Sequence, residues 1–405
     1  MKKEIPYIRA GVSFYKQVKA PTITGEFSTI LVPWNIETIK QDHSKDYIST
    51  IPKYDGFTCI PEHVSYKQQY GTFYNTYFPL SNKPEAGKFE YTYSFFEHIF
   101  GEQIELGLDY LQLLYLKPIQ ILPILCLVSK ERATGKSSFL KWLKGIFEAN
   151  MTYLTNESFS SQFNAHWANK LLICIDEVLF NKEELTERIK YLSTTNVNKM
   201  EAKGKDKREV EFFGKFILCS NNEDNFIKID ESEIRFWVVK VPRIEREDTD
   251  LLAKMKLEIP AFLHFLSGRK LSVENPLTRM WFRSEQIRTK ALLRLIQNNR
   301  SRTEREIAHL FISIMEEFDC DEFKMCPKHI FSFLIQSGIK TTRTDLVKLI
   351  TVTWGLKSCG NSLSYQRIEI DDKGDYILTS GKGRYYTIRK DYLLQNYDEL
   401  VVYCA

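Results

Sequence analysis

The segment Cys126-Leu127-Val128-Ser129-Lys130-Glu131-Arg132-Ala133-Thr134-Gly135-Lys136-Ser137-Ser138 constrains this chain more than any other stretch. An apolar run, Ile121 to Val128, reads as a buried strand. After a polar loop, Ser138 to Phe147 places its apolar residues at helical spacing. A strand that turns through Gly-Lys-Ser into a helix is a Walker A arrangement, in which backbone N–H groups and a helix N-terminus cradle phosphates. The nucleotide-binding residues are therefore expected to be Arg132, Ala133, Thr134, Gly135, Lys136, Ser137 and Ser138. Lys136 would reach the outer phosphates, and the Ser137 hydroxyl would ligate Mg²⁺. The strict pattern has glycine where this chain has Lys130, so the loop by itself does not decide its role and the downstream motifs must.

Downstream, Lys170-Leu171-Leu172-Ile173-Cys174-Ile175-Asp176-Glu177 is an apolar run ending in two carboxylates, the Walker B arrangement. Asp176 would hold Mg²⁺ through water, and Glu177 would orient and deprotonate an attacking water. In isolation the same pattern fits a core strand entering a polar turn; its distance after a Gly-Lys-Ser loop favours the acidic pair. Phe216-Ile217-Leu218-Cys219-Ser220-Asn221-Asn222 is a further apolar run, ending in amides. An asparagine there can polarise the water without adding charge, and Asn221 is taken for that sensor role. Asn222 is not separable from it by sequence, and a simple turn would use Asn-Asn equally well.

Arg235 opens the run Phe236 to Val241 and could project into the ATP site of a neighbouring subunit. An arginine supplied in that way is worth ~10³–10⁵ in rate, whereas the plainer alternative is a salt-bridged surface arginine. Between the acidic and amide strands, Asn198 to Val210 offers Lys203, Lys205 and Lys207 around Gly204. A β-hairpin with lysines at its tip can grip a phosphate backbone without reading bases. A solvated charged loop is the competing interpretation.

At 405 residues the chain is long enough for two or three domains. A net charge of only +4 means that any nucleic-acid contact must come from local basic patches. Met1 to Pro6 lacks the apolar segment of a signal peptide, and Leu111 to Val128 is interrupted by Lys117, Pro118 and Pro123 and is too short to span a bilayer. A cytoplasmic protein without membrane contact is expected. Eight scattered cysteines, three of them inside strand-like runs, suit reduced thiols. Cys320, Cys326 and His329 lack the second tight pair of a zinc site.

The fold expected is α/β. A small mixed region (1–92) precedes the core with its leading helices (93–245), a helical extension (246–302) and a winged-helix-like module (303–405). The aromatic run Tyr66 to Phe78 could stack bases but better suits a small core or docking surface. In the last module, Thr303-Glu304-Arg305-Glu306 reads as a capping box before a helix. Helices are expected around Pro327–Gln336 and Arg343–Thr353. Strands are expected at Leu363–Ile368, Tyr376–Thr379 and Tyr385–Ile388, with a basic Gly-rich turn, Ser380 to Arg384, between the last two.

The order of these elements resembles superfamily 3 helicases, specifically the D5-like primase-helicases of phages, plasmids and large DNA viruses. Flanking text agrees: Phe73-Tyr74-Asn75-Thr76-Tyr77-Phe78-Pro79-Leu80, Pro84-Glu85-Ala86-Gly87 and Phe96-Glu97-His98-Ile99-Phe100-Gly101 resemble the segment that precedes the ATPase there. Phe163-Asn164 and Trp167-Ala168-Asn169-Lys170 resemble the lead into its acidic strand. The likeness is good from Tyr70 to Pro242, loose to Arg302 and poor at the ends.

The resemblance implies an AAA+-type P-loop ATPase that forms a ring, commonly a hexamer, and translocates on single-stranded DNA while hydrolysing ATP with Mg²⁺. It implies that Lys136 contacts phosphates, Ser137 and Asp176 serve the metal, Glu177 and Asn221 serve the water, and Arg235 is the finger. Lys203 and Lys205 stand where the pore hairpin's basic residues would be. No primase segment precedes the ATPase motifs, so a separate primase or polymerase is the partner expected. The alternative function is an AAA+ initiator or loader that binds DNA with ATP and does not unwind. A monomeric P-loop phosphotransferase is a third, with no use for a finger in trans.

Overall fold

The computed structural model describes residues 5–21, 27–180, 182–204, 206–229, 233–274 and 278–397. The chain divides into two compact units, Met1–Lys228 with Ile234–Leu292, and Ile229–Glu233 with Leu293–Ala405.

The first unit opens with β1 (Tyr7–Ala10), β2 (Ser13–Pro21) and β3 (Phe27–Trp34), an antiparallel meander. After α1 (Ile36–Asp42) and α2 (Tyr47–Thr50), β4 (Lys53–Tyr54) pairs parallel with β1. A second small sheet joins β5 (Gly56–Thr58), β6 (Gln69–Tyr70) and β7 (Phe73–Asn75). Much of the aromatic run lies here, with Tyr74 and Tyr77 buried. Asn75 ties the segment together, its amide bonded to the Ile60 N–H and to the Ile60 and Lys67 carbonyls.

Two helices follow, α3 (Glu90–Phe100) and α4 (Ile104–Leu116). The residue before α3 is a phenylalanine with no capping side chain. Glu258 supplies the cap from a distance, accepting the Tyr91 and Thr92 N–H groups at 3.2 and 2.7 Å. α4 is buried on nearly every side, and its one buried carboxylate, Asp109, meets the guanidinium of Arg269.

The centre of the unit is β8 (Ile124–Val128), α5 (Lys136–Phe147), β9 (Met151–Leu154), α6 (Asn156–Ser160), β10 (Leu172–Ile175) and α7 (Glu183–Thr194). It continues through β11 (Val197–Met200), β12 (Arg208–Glu211), β13 (Lys215–Ser220) and β14 (Phe236–Lys240). Five of these strands form a sheet in the order β14-β8-β13-β10-β9, every neighbouring pair parallel. Parallel sheets are covered on both faces, so their strands need near-continuous apolar sequence. Every residue of β8, β10 and β13 is accordingly buried. The α/β sheet expected for the central block is thus present. One face is filled by an aromatic cluster in which Trp142 meets Phe96 and Phe262 at ring-centre distances of 5.3 and 5.2 Å. α8 (Leu251–Leu257), α9 (Ile259–Gly268), α10 (Ser284–Ile287) and α11 (Lys290–Asn299) complete this stretch of the chain.

Lys215 is the chemical exception in the sheet: it is 5% exposed and donates its amine to the Phe213 carbonyl at 2.5 Å. Burial pulls its pKa down to about 7. Between that value and the ordinary lysine value the unfolded chain carries the proton and the folded chain does not, so stability rises with pH through this window. The buried Cys126, Cys174 and Cys219 thiols, all held protonated by burial, oppose the trend once the unfolded chain's thiols begin to ionise. The urea midpoint is therefore expected to climb from pH 7 to about 8.5. Lys215→Met should flatten that climb; an equally steep climb in the variant would count against a neutral buried amine.

The second unit contains α12 (Arg302–Glu317), β15 (Glu322–Met325), α13 (Pro327–Gln336), α14 (Arg343–Lys348), β16 (Leu363–Ile370), β17 (Tyr376–Gly383), β18 (Tyr386–Arg389) and α15 (Lys390–Tyr397). Two local expectations are corrected. α12 begins before Thr303, because the Ser301 hydroxyl accepts the Glu304 N–H and caps it. The expected basic turn at Ser380 to Arg384 is not the hairpin tip: Ser380 to Gly383 are strand residues, paired with Leu363 to Gln366. The tip is Asp371-Asp372-Lys373-Gly374-Asp375, where Asp371 Oδ1 accepts the Lys373 and Asp375 N–H groups and Gly374 takes a φ of 90°. The hairpin tip is acidic, with three carboxylates around one lysine.

Candidate functional site

Three adjacent strands, β8, β13 and β10, end at the same edge of the sheet, with β13 in the middle. Register sets Ser220 beside Val128, and Leu218 beside Ile175. The residues that leave these strands therefore emerge side by side: Ser129 from the first, Asn221 from the second and Asp176 from the third. Sequence separations of tens of residues collapse to one rim.

Past β8 the loop folds over the N-terminus of α5. Gly135 caps the helix in the left-handed region at φ 89°, and a Cβ there would lie 2.9 Å from the Phe95 ring, so conformation and space both require glycine. Ala133 is left-handed too, at φ 55°. The loop is clamped from outside by His98 Nε2 at 3.0 Å from the Thr134 carbonyl, and by the Ile244 N–H donating to the Ala133 carbonyl at 3.0 Å. Arg132 is exposed, and Ser138 is half-buried in the first turn of α5.

Lys136 is 6% exposed; its amine turns back to the Thr134 hydroxyl at 3.1 Å and to the Ser129 hydroxyl. Burial pulls its pKa below the usual lysine value, while Cys219, Asp176 and Glu223 pull the other way. A cation stripped of water and held by hydroxyls gains strongly from an anion placed beside it.

Ser137 donates its hydroxyl to Asp176 Oδ2 at 3.0 Å, joining the loop to the acidic strand. The next residue, Glu177, is exposed and takes a left-handed φ of 57°. For a residue with a side chain that conformation costs ~1–2 kcal/mol, and neighbouring bonds enforce it. The Val178 N–H donates to the Cys219 carbonyl at 2.8 Å, and the Ser220 hydroxyl donates to the Val178 carbonyl at 3.1 Å. Asn156 brackets the turn, donating to the Glu177 carbonyl at 3.2 Å and accepting the Leu179 N–H at 3.3 Å. Asn156 was missed by sequence reasoning; the usable signal was a Thr-Asn pair directly after an apolar strand.

The two asparagines differ in their surroundings. Asn222 Oδ1 accepts the Asp224 and Asn225 N–H groups, both at 3.1 Å, and its amide donates to the Asn225 side chain. It is occupied in shaping its own turn. Asn221 is exposed at the rim, and its side chain makes no hydrogen bond among the described residues.

Lys130, in the place where glycine was expected, forms an ion pair with Asp224 at 2.9 Å and lies 3.8 Å from Glu223. Lys240 approaches the same buried Glu223 at 3.3 Å. The departure from the loop pattern thus ties the loop's entrance to the turn after β13.

Arg235 is not brought to this rim. It precedes β14, whose Phe236 pairs with Ile124, and its carbonyl accepts the Ile124 N–H at 2.8 Å. It stands at the opposite edge of the sheet, a strand of five residues away, or ~16 Å at ~3.3 Å per residue.

The basic segment is a hairpin, with β11 and β12 paired from Val197↔Glu211 to Met200↔Arg208. Gly204 turns its tip at φ 74°, and Lys203 is exposed beside it. Lys205 lies outside the described residues. Lys207 pairs with Glu201 at 2.8 Å, across the loop's base. Asn164, 4% exposed, anchors that base: it donates to the Lys199 carbonyl at 2.9 Å and accepts the Glu201 N–H at 2.8 Å. Its importance was hinted at only by the Phe163-Asn164 text ahead of the acidic strand.

Ser137 and Asp176 are hard oxygen donors of the kind Mg²⁺ takes. Among the described residues no group of three or more His, Cys, Asp or Glu could hold a metal ion. That donor chemistry fits an ion held by one or two protein oxygens together with substrate phosphates. No helix among the described residues is long and apolar enough to cross a membrane.

Comparison with known proteins gives a family match, a sequence relative and similar folds. Residues 127–235 match the model of a family of unknown function, DUF5906. Over 150 residues the chain is 27% identical to the DNA primase-polymerase of Nitratiruptor phage NrS-1, covering 35% of this chain and 21% of that protein. The chain therefore spans about a fifth of the length of that curated relative. The apo structure of the NrS-1 C-terminal region superimposes with a TM-score of 0.61 at 16% identity, covering 92% of this chain and 94% of that one. Its A form apo structure gives 0.62 at 16% identity, covering 96% of each. The mixed α/β fold with its parallel sheet is shared with that region.

Proposed function

We propose that this chain is an ATP-dependent DNA helicase of the superfamily 3, AAA+ type, working as a ring on single-stranded DNA. The observation that carries this reading is the convergence of Lys136, Ser137, Asp176 and Asn221 on one rim, with Ser137 and Asp176 only 3.0 Å apart. A phosphate chain laid over the N-terminus of α5 would meet backbone N–H groups and the Lys136 amine. Mg²⁺ held by Ser137 and, through water, by Asp176 would supply charge neutralisation on the outer phosphates. Glu177 then orients a water and takes its proton, and Asn221, lying between loop and acidic pair, holds that water by hydrogen bonding without adding charge. The strained backbone at Glu177 supports a functional role, since such strain persists where surrounding bonds enforce it.

Arg235 stands at the far edge of the sheet from its own chain's rim, so a finger role for it requires a homo-oligomer, such as a hexamer, in which a neighbour supplies it, rather than a monomeric phosphotransferase. The hairpin supports the DNA contact, with Lys203 at the tip and Lys207 partly neutralised at the base. The similarity to a primase-polymerase supports a role beside primase or polymerase activity in replication.

Lys203→Ala tests the coupling. Basal ATP turnover is expected to persist, while stimulation by single-stranded DNA should fall about tenfold or more. Undiminished stimulation would remove the hairpin from the mechanism.

A further inference from the structure

A groove of about 940 Å³ opens in the first unit, lined by none of Lys136, Ser137, Asp176, Glu177 or Asn221. One wall is the β2–β3 ribbon, where cross-strand pairing of Gln17 with Leu31 and Lys19 with Thr29 puts these four side chains on one face. The opposite wall is the connection from β7 to α3, pinned on the C-terminal end of α5. Asn82 donates to the Gly145 carbonyl at 3.1 Å, and the Ser81 N–H donates to Glu148 Oε1 at 3.0 Å.

The lining is electropositive. Lys19, Lys83, Lys144 and Lys256 face a single carboxylate, Glu148, which also accepts the Ser81 hydroxyl. Lys144 is committed to the Glu148 and Met151 carbonyls. Among the described residues, Lys83, at the exposed rim, donates only to the Leu80 carbonyl, and Lys19 makes no ion pair or hydrogen bond. The same lining includes two half-buried aromatic residues, Tyr66 and Phe78, with the Tyr66 hydroxyl fixed 2.9 Å from the Tyr77 carbonyl.

We infer that this groove binds single-stranded nucleic acid, its bases stacking on Tyr66 and Phe78 and its phosphates meeting Lys19 and Lys83. Aromatic side chains combined with long, flexible amines in one groove are the chemistry of sequence-tolerant strand binding. The groove's volume lies at the top of the ~300–1,000 Å³ range of small-ligand pockets. Its rim residues Lys19, Gln68, Pro79 and Lys83 are exposed, so a polymer can enter and leave where a sealed pocket would admit only a free nucleotide. The contact would be separate from the Lys203 hairpin and needs no ATP.

The test is a nucleotide-free titration of the full chain with fluorescent oligo-dT across a salt series. The double variant Lys19→Ala/Lys83→Ala is expected to bind about tenfold more weakly, with a log–log salt slope shallower by ~1.4, at ~0.7 for each lysine–phosphate pair removed. Photocrosslinking of 4-thiothymidine oligonucleotides should label Tyr66 or Phe78, also in the Lys136→Ala protein, whose failure in turnover is a separate matter. An unchanged slope with labels confined to residues 197–211 would overturn the groove as a strand site. Displacement of the oligonucleotide from the groove by thymidine monophosphate at equal concentration of nucleotide units would overturn it too, in favour of a free-nucleotide pocket.

Discussion

Lys136→Ala is expected to reduce ATP turnover by ~10²–10³ or more, the cost of removing one preorganised charge-stabilising donor from an active site. The reasoning is local. The Lys136 amine is buried against two hydroxyls, with no carboxylate at hydrogen-bonding distance among the described residues. Its stabilisation within the chain is therefore modest, and a phosphate oxygen would be a better partner than either serine or threonine. Removing the amine leaves the Ser129 and Thr134 hydroxyls, which can satisfy each other or water, so the fold should survive. Turnover measured as phosphate release, beside an unchanged urea midpoint, separates lost chemistry from lost structure. Turnover within a factor of about three of the parent would place the phosphate site elsewhere.

The second large effect is on stability. Asp109 is fully buried on α4, where its carboxylate accepts the Ser272 N–H at 3.0 Å, the Ser272 hydroxyl at 2.7 Å, the Val273 N–H at 2.9 Å and the Arg269 guanidinium. Arg269 is itself buried and also reaches Gln112 at 3.0 Å and Glu105. Asp109→Ala removes the anion while leaving the guanidinium and two backbone donors in place. Breaking a buried pair in this way costs ~3–5 kcal/mol, a large part of the ~5–15 kcal/mol by which domains are stable. The variant should show a much lower urea midpoint and poor soluble yield. A loss under about 1 kcal/mol would mean that water reaches the network.

Much of the fold could be read in advance because parallel strands announce themselves. β8 and β10 are continuous apolar runs, β13 is one between Lys215 and Ser220, and each hands over to a polar residue at the rim where chemistry can occur. What escaped reading depended on side chains that act on distant backbone. Glu258 capping α3, Asn164 anchoring the basic hairpin and Asn156 enforcing the turn at Glu177 leave no periodic trace in sequence. The ion pair of Lys130 with Asp224 likewise explains an irregular loop residue only once β8 and β13 are known to be neighbours.

The misplaced hairpin tip shows a different limit. Gly381 and Gly383 look like turn formers, but they sit in a ladder, where Arg367 and Cys326 pack close against them. The true turn is built by an aspartate that bonds to backbone two and four residues ahead. Its three carboxylates also make that tip a poor phosphate contact, which leaves the Lys203 hairpin and the Lys19 groove as the stronger candidates for DNA.

Strand displacement from a forked DNA duplex bearing a single-stranded tail, with purified protein, Mg²⁺ and either ATP or a non-hydrolysable analogue, bears most directly on the helicase assignment. Release of the labelled strand with ATP alone, abolished by Glu177→Gln, is the expected result. Tight, ATP-dependent DNA binding with no strand released under any condition would contradict it and would point to a loader that uses ATP only to assemble.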